Sequence, residues 1–173
     1  MGLIEVVAAL TLLGLGLAAQ ASLTVAAHTQ LGSVRERQSA LQAARARIEV
    51  LFGHDFRTCF AAFDEGVGND PPEAPGPHFD VAGLQPSAAD PDGRVGRIIF
   101  PTAPGAGGGD PVLREDLDVP ELGLPHDLDG DGVLDSEPKD DTYVHIPVIV
   151  EVWWQGRSGE QTLRIPTWIT PRR

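Results

Sequence analysis

Between Glu5 and Arg35 no side chain is charged at neutral pH unless His28 is protonated, and Val6–Ala19 reads VVAALTLLGLGLAA. A helix over Val6–Ala27 is roughly 33 Å long at 1.5 Å per residue, close to the thickness of a bilayer's hydrocarbon layer. The run is therefore long enough to cross a membrane. A cleaved secretory signal needs a basic stretch before its apolar core and a small-residue cut site after it. Here four residues precede Glu5 and none is basic, while the apolar run passes directly into a polar, helix-forming stretch. Ala-x-Ala patterns occur within the run, but cutting there would discard the segment that sets the chain apart. The run reads as an anchor that is kept.

Glu5 is the exception in this setting. A carboxylate at the edge of an apolar helix costs several kcal/mol if buried unpaired, so it calls for a partner or for protonation. The nearest cation in sequence is an α-amino group at Met1, free if residue 1 is a true chain end. Otherwise Glu5 sits at the level of the lipid head groups, ahead of an ordinary anchor.

The string MGLIEVVAALTLLGLGLAAQASL resembles the mature N-terminus of the type IV pilin superfamily, with Leu3-Ile4-Glu5-Val6 matching its apolar-apolar-Glu-Val pattern. The resemblance implies that a prepilin peptidase removes a short basic leader after a glycine and that Met1 is then N-methylated. It also implies that Glu5 pairs with the terminal amine of an adjacent subunit and so sets axial register during assembly. Two charges that are each costly in an apolar core neutralise one another only at the right stagger. Gly14 and Gly16 fit a further family trait, local loosening of the helix inside the filament. The family's frequent proline near position 22 is replaced by Ser22, which departs from the most typical major subunits. The following Ala- and Arg-rich helix, ending ARARIEVL, and the terminal Val152-Trp153-Trp154, Gly turn and last strand are similar in layout to minor pilins and minor pseudopilins. Homo- or hetero-oligomerisation with other pilin-like subunits, inner-membrane residence before assembly and display on a cell-surface filament are the implied partners and location.

Beyond the anchor, Gly32 is expected to interrupt the helix. Val34, Leu41 and Ile48 recur at heptad spacing with Ala44 and Leu51 between them, a stripe suited to packing on the head, and Gly53 is the expected stop. The chain therefore divides into an N-terminal helix at 1–53, apolar over 1–27 and amphipathic over 28–53, and a head at 54–173. The first 57 residues carry five arginines against four acids, a balance of +1, so the other 116 hold 8 basic and 21 acidic side chains, or −13, which together give the net −12. A head this acidic repels phosphate backbones, and no basic stripe with interleaved aromatics is present, which disfavours direct nucleic-acid binding. Cations are the better-matched partners.

Within the head, 65–93 and 101–126 are dense in Pro, Gly and Asp and read as loops, with Arg94–Phe100 as a strand between them. Val144, Ile146, Val148, Val150, Val152 and Trp154 alternate with less apolar positions, and Leu163, Ile165, Thr167 and Ile169 continue the period of two. A turn over 155–160 makes these a hairpin, and Pro147 and Pro166, which cannot donate ladder hydrogen bonds, mark an edge or an unpaired side. The expected fold class is α+β: a long N-terminal helix packed on a small antiparallel sheet with long Pro/Gly/Asp-rich loops.

Loop 127–141 carries oxygen ligands at alternate positions, Asp127, Asp129, Asp131 and Asp135, with Gly132 where an EF-hand-type loop turns and Val133 offering a backbone carbonyl. Leu134 is expected to point inward. The usual closing Glu position is Pro138, so closure falls to Glu137, Asp140 or Asp141. Hard oxygens in this arrangement suit Ca2+, which would fasten the loop against the strand near Tyr143 and make folding of the head depend on the ion. The competing reading is a solvated acidic turn. Joined to a plain anchor, the same loop gives the alternative function, a membrane-tethered calcium-binding module that does not polymerise.

No enzyme is expected. His54, Asp55 and Cys59 are close in sequence but lack an oxyanion turn or a phosphate loop, and His28, His78, His126 and His145 are scattered. Cys59, the single cysteine, excludes an intrachain disulfide and reads as a small buried hydrophobe.

Overall fold

The computed structural model describes the backbone at 2–66, 68, 71, 73–90 and 92–171, with all of the corresponding side chains except those of Glu5, Val25 and Ala106. Helix α1 runs unbroken over Leu3–Gly53 and ends where expected, with His54 as its C-cap. Val34 and Gly32 depart from expectation. The head-facing stripe is Ala40, Ala44 and Leu51, each 0 % exposed, with Ala43 and Ile48 packed beside it. Val34 is 61 % exposed. The buried positions follow spacings of four and seven with small residues first, so the helix backbone comes close to the sheet; Val34 falls off this stripe, on an exposed side of the helix.

Gly32 does not interrupt the helix. A glycine costs only about 1 kcal/mol relative to alanine, too little to break a long helix with good formers on both sides. The Arg157 side chain at the hairpin tip lies over this glycine, and a Cβ there would stand 2.7 Å from its Cδ, a contact the flexible arginine can relieve by shifting. Arg157 pairs with Glu36 on the next turn, Nε to Oε1 at 3.5 Å, and its backbone N–H donates to the other Glu36 oxygen at 3.3 Å.

The hairpin is β5 (Ile146–Gly156) with β6 (Gly159–Ile169), longer than expected and joined by only Arg157 and Ser158. Two short strands, β1 (His78–Phe79) and β2 (Gly96–Ile99), complete an antiparallel sheet in the order β1-β2-β5-β6. Pro166 falls on the edge strand β6, and Pro147 lies beyond the 149–152 segment of β5 that pairs with β2. Ile146, Val148, Val150, Val152 and Trp154 are buried, as the alternation requires, but Ile149 is also 1 % exposed. The first half of β5 is thus buried on both faces, and the turn Pro120–Leu122 packs against both β5 and β6.

The expected loop regions contain β1 and a separate ribbon, β3 (Thr102–Ala103) with β4 (Val112–Leu113). After α1 a short helix α2 (Cys59–Phe63) buries Cys59, Phe60 and Phe63. Arg47 reaches from α1 over the rings of Phe63 and Phe79, with its guanidinium carbon 5.4 and 5.1 Å from their centroids. Tyr143 ties the end of the acidic loop to this corner, its hydroxyl between the carbonyls of Phe56 and Arg57 at 2.8 and 2.9 Å. The molecule is a long helix on a small antiparallel sheet, an α+β fold.

Candidate functional site

Two features of the structure carry chemistry: the free half of α1 and the acidic loop. From Leu3 to Leu31 every described side chain of α1 is exposed, including Leu10, Leu12, Leu13, Leu15 and Leu17 at 60–71 %. The hydroxyls within this stretch turn back onto the helix. Thr11, Ser22 and Thr24 donate to the carbonyls four residues earlier, at 2.6, 3.0 and 2.9 Å, so they present no unsatisfied donor to an apolar surrounding. By length and composition this helix could span a membrane. The backbone is helical at Gly14 and Gly16, with open space around both. Met1 and the side chain of Glu5, the expected assembly contact, lie outside the described residues.

The acidic loop is organised by local turns. Asp127 accepts from the N–H groups of Gly130 and Gly132 at 2.6 and 2.9 Å, and both glycines hold positive φ, 78° and 84°. Asp129, Asp131 and Asp135 each accept from the N–H two residues on, at 3.2, 2.7 and 2.8 Å. Each aspartate therefore bends the chain behind it, the usual work of an Asx turn.

The residues expected to close the loop, Glu137, Asp140 and Asp141, do not join the group of carboxylates that gathers there. Asp140 accepts from Leu113 N–H at 2.6 Å, while Glu137 and Asp141 are exposed. Glu115, fully buried just after β4, takes the central place: its Oε2 accepts from Leu128 N–H at 3.0 Å and its Oε1 from Asp135 N–H at 2.9 Å. Oxygens of Glu115, Asp127 and Asp129 come within 4.8 Å of one another, a group that could hold a metal ion and that contains two of the expected ligands. Asp131 and Val133 point outward into exposed positions. Leu134 is 53 % exposed, and the inward apolar residue is Leu128, at 0 %.

At the centre stands Lys139, the only lysine of the chain. Its side chain is 4 % exposed, and Nζ lies 2.9 Å from Asp129 Oδ2, 3.1 Å from Asp135 Oδ1 and 3.5 Å from Glu115 Oε1. The hydrogen bond it donates to Asp129 holds the Lys139 ammonium well above its ordinary value, and the same bond holds the Asp129 carboxyl below its own. Burial pushes the Asp140 carboxyl up. Glu115 gave no local sequence signal, being twelve positions before Asp127. Lys139 did give one: a single ammonium inside a strongly acidic segment.

The chain matches no known family model, curated protein or solved structure.

The remaining candidates do not assemble into a site. Cys59 is fully buried, and burial pushes its thiol up to about 12, whereas His54 packs edge-on against Phe63 and Asp55 accepts from Arg57 N–H. His78 pairs with Asp92, His126 and His145 flank the Trp168 ring, and His28 is exposed on α1. Among the described residues, the only group of three or more His, Cys, Asp or Glu placed to hold a metal is the one around Glu115.

Proposed function

We propose that this chain is a structural subunit of a type IV pilus-like filament, anchored by α1 in the inner membrane before assembly and packed through it into the filament core afterwards. The observation that carries the reading is the free half of α1, which projects about 44 Å as an apolar rod with every described side chain exposed. Burying a large aliphatic side chain contributes about 1.5–3 kcal/mol, so a row of them left in water is untenable. A bilayer and the matching helices of neighbouring copies are the two surroundings that cover a rod on all sides.

Within this reading a prepilin peptidase exposes the amine of Met1, which is then N-methylated, and Glu5 pairs with that amine on an adjacent subunit. The match sets axial register, because either charge alone is costly in the core. Gly14 and Gly16 are where the helix loosens as subunits pack. The layout favours a minor pilin or a type II secretion pseudopilin, alone or with other pilin-like subunits, with the acidic head displayed outside the cell. The carboxylates around Glu115 take Ca2+, a hard cation suited to several oxygen ligands, with Asp127, Asp129 and Asp135 contributing.

The alternative, a membrane-tethered calcium module that does not polymerise, shares the anchor and the loop but has no use for Glu5 pairing. Replacing Glu5 with alanine separates them. The filament reading expects surface filaments to disappear while the chain still inserts in the membrane; filaments that persist at normal abundance would overturn the registry role.

A further inference from the structure

We infer that the groove between α1 and the hairpin tip seats the phosphate of an anionic phospholipid while the chain is anchored in a bilayer. This rests on the anchoring reading above, and on neither polymerisation nor calcium. The groove, of about 490 Å³, has α1 on one side and the hairpin tip with the loop at Gly83 and Leu84 on the other. Among the described residues, His28, Arg35 and Arg157 line it against a single carboxylate, Glu36. Residues 58–173, by contrast, hold 8 basic and 21 acidic side chains. The charge balance in the groove is the reverse of that of the head, so an anion is attracted here and repelled elsewhere.

The groove also stands at the height of the lipid phosphates. From Ala27, the end of the apolar span, the helix rises about 7.5 Å to Gly32. The head-group layer outside the hydrocarbon is about 5–8 Å deep on each side of a bilayer. Arg157 is held at that level: its side chain lies over Gly32, and Glu36 Oε1 engages it at Nε, 3.5 Å away, while the side chain remains 62 % exposed. The guanidinium is thus positioned without being enclosed. Arg35 has no ion-pair partner among the described residues, and a helical side chain leans toward the helix N-terminus, here back toward the bilayer. Two guanidinium groups facing one opening suit a phosphate, whose oxygens accept their forked N–H donors. Directly below, an open apolar strip that includes Leu23 and Ala27 shares His28 and Leu31 with the groove. That strip suits acyl chains, which a lipid brings and a free anion lacks.

Phosphatidylglycerol and phosphatidylcholine are each titrated against the full chain in neutral detergent micelles, and native mass spectrometry counts the bound lipid. Wild type is expected to favour phosphatidylglycerol roughly tenfold or more, from two arginines worth about fivefold each. Arg35→Gln, which leaves the Arg157–Glu36 pair intact, should lower the preference about fivefold, and Arg35→Gln with Arg157→Gln should abolish it. Arg37→Gln, outside the groove, should keep it. Equal binding of the two lipids, a preference that survives the double substitution, or one that Arg37→Gln also removes would overturn the inference. So would displacement of phosphatidylglycerol by an equal concentration of inorganic phosphate, the mark of a free-anion site. Arg35→Gln alone decides the matter if the double variant fails to fold. Anchoring is read separately, as resistance to alkaline extraction from phosphatidylcholine vesicles. A chain that stays inserted without a lipid preference keeps its anchor and loses only the groove; one that is extracted loses both.

Discussion

Cys59 and Tyr143 sit at the corner where α1 meets the head, and burial pushes both up to about 12, from ordinary values of 9.0 and 10.0. Both groups stay protonated longer in the folded state than in the unfolded one. Their contribution to stability is therefore complete below about pH 9 and declines as the pH rises toward 12, since the unfolded chain releases these protons first. Urea midpoints measured between pH 8 and 12 should fall through that window, and a flat profile would contradict the burial of this corner. The same burial makes Cys59 inert to thiol reagents until the head is unfolded. At this scale the sequence was only partly legible. The Asp ladder and its glycines could be read because Asx turns are local, whereas Glu115 could not, since it reaches the loop through tertiary folding. Leu134 departs from expectation because a calcium-loop template assigns the inward apolar residue by position, and here Leu128 fills that role from the other end.

At the scale of elements, α1 and the β5–β6 hairpin carry the fold. Ala40, Ala44 and Leu51 are completely buried where α1 crosses β5 and β6. Leu51→Ala leaves a cavity and is expected to cost about 2–5 kcal/mol. Ala44→Leu overfills the contact and is expected to cost about 1–3 kcal/mol. Both are read as shifts in the urea midpoint, and the exposed Val34→Ala should leave it nearly unchanged. The hairpin was visible in the sequence because a period of two extends through most of both strands, and its prolines fall where no ladder donor is needed. The helix is visible in its run of good formers, and the expected break at Gly32 does not occur because one glycine costs too little to interrupt so long a helix. The arginine that covers this glycine, Arg157, is 125 positions away, beyond any local pattern. The two-residue strands in the Pro/Gly-rich regions were equally hidden, since so short a stretch has no period.

The whole molecule divides its charge as it divides its shape. The acidic residues crowd into the head, while the arginines of the helix, Arg35, Arg37 and Arg45, are exposed along the side of α1. In the filament proposed above, heads that carry this excess of acid repel one another. That arrangement disfavours nonspecific aggregation through the heads and leaves the apolar rods to drive assembly. The most direct test of this account is mass spectrometry of the N-terminal peptide from sheared surface filaments, matched against the membrane fraction. The account predicts this chain in the filament fraction, beginning at an N-methylated Met1. A chain confined to the membrane, with an unmodified Met1 or with residues upstream of it, would contradict it.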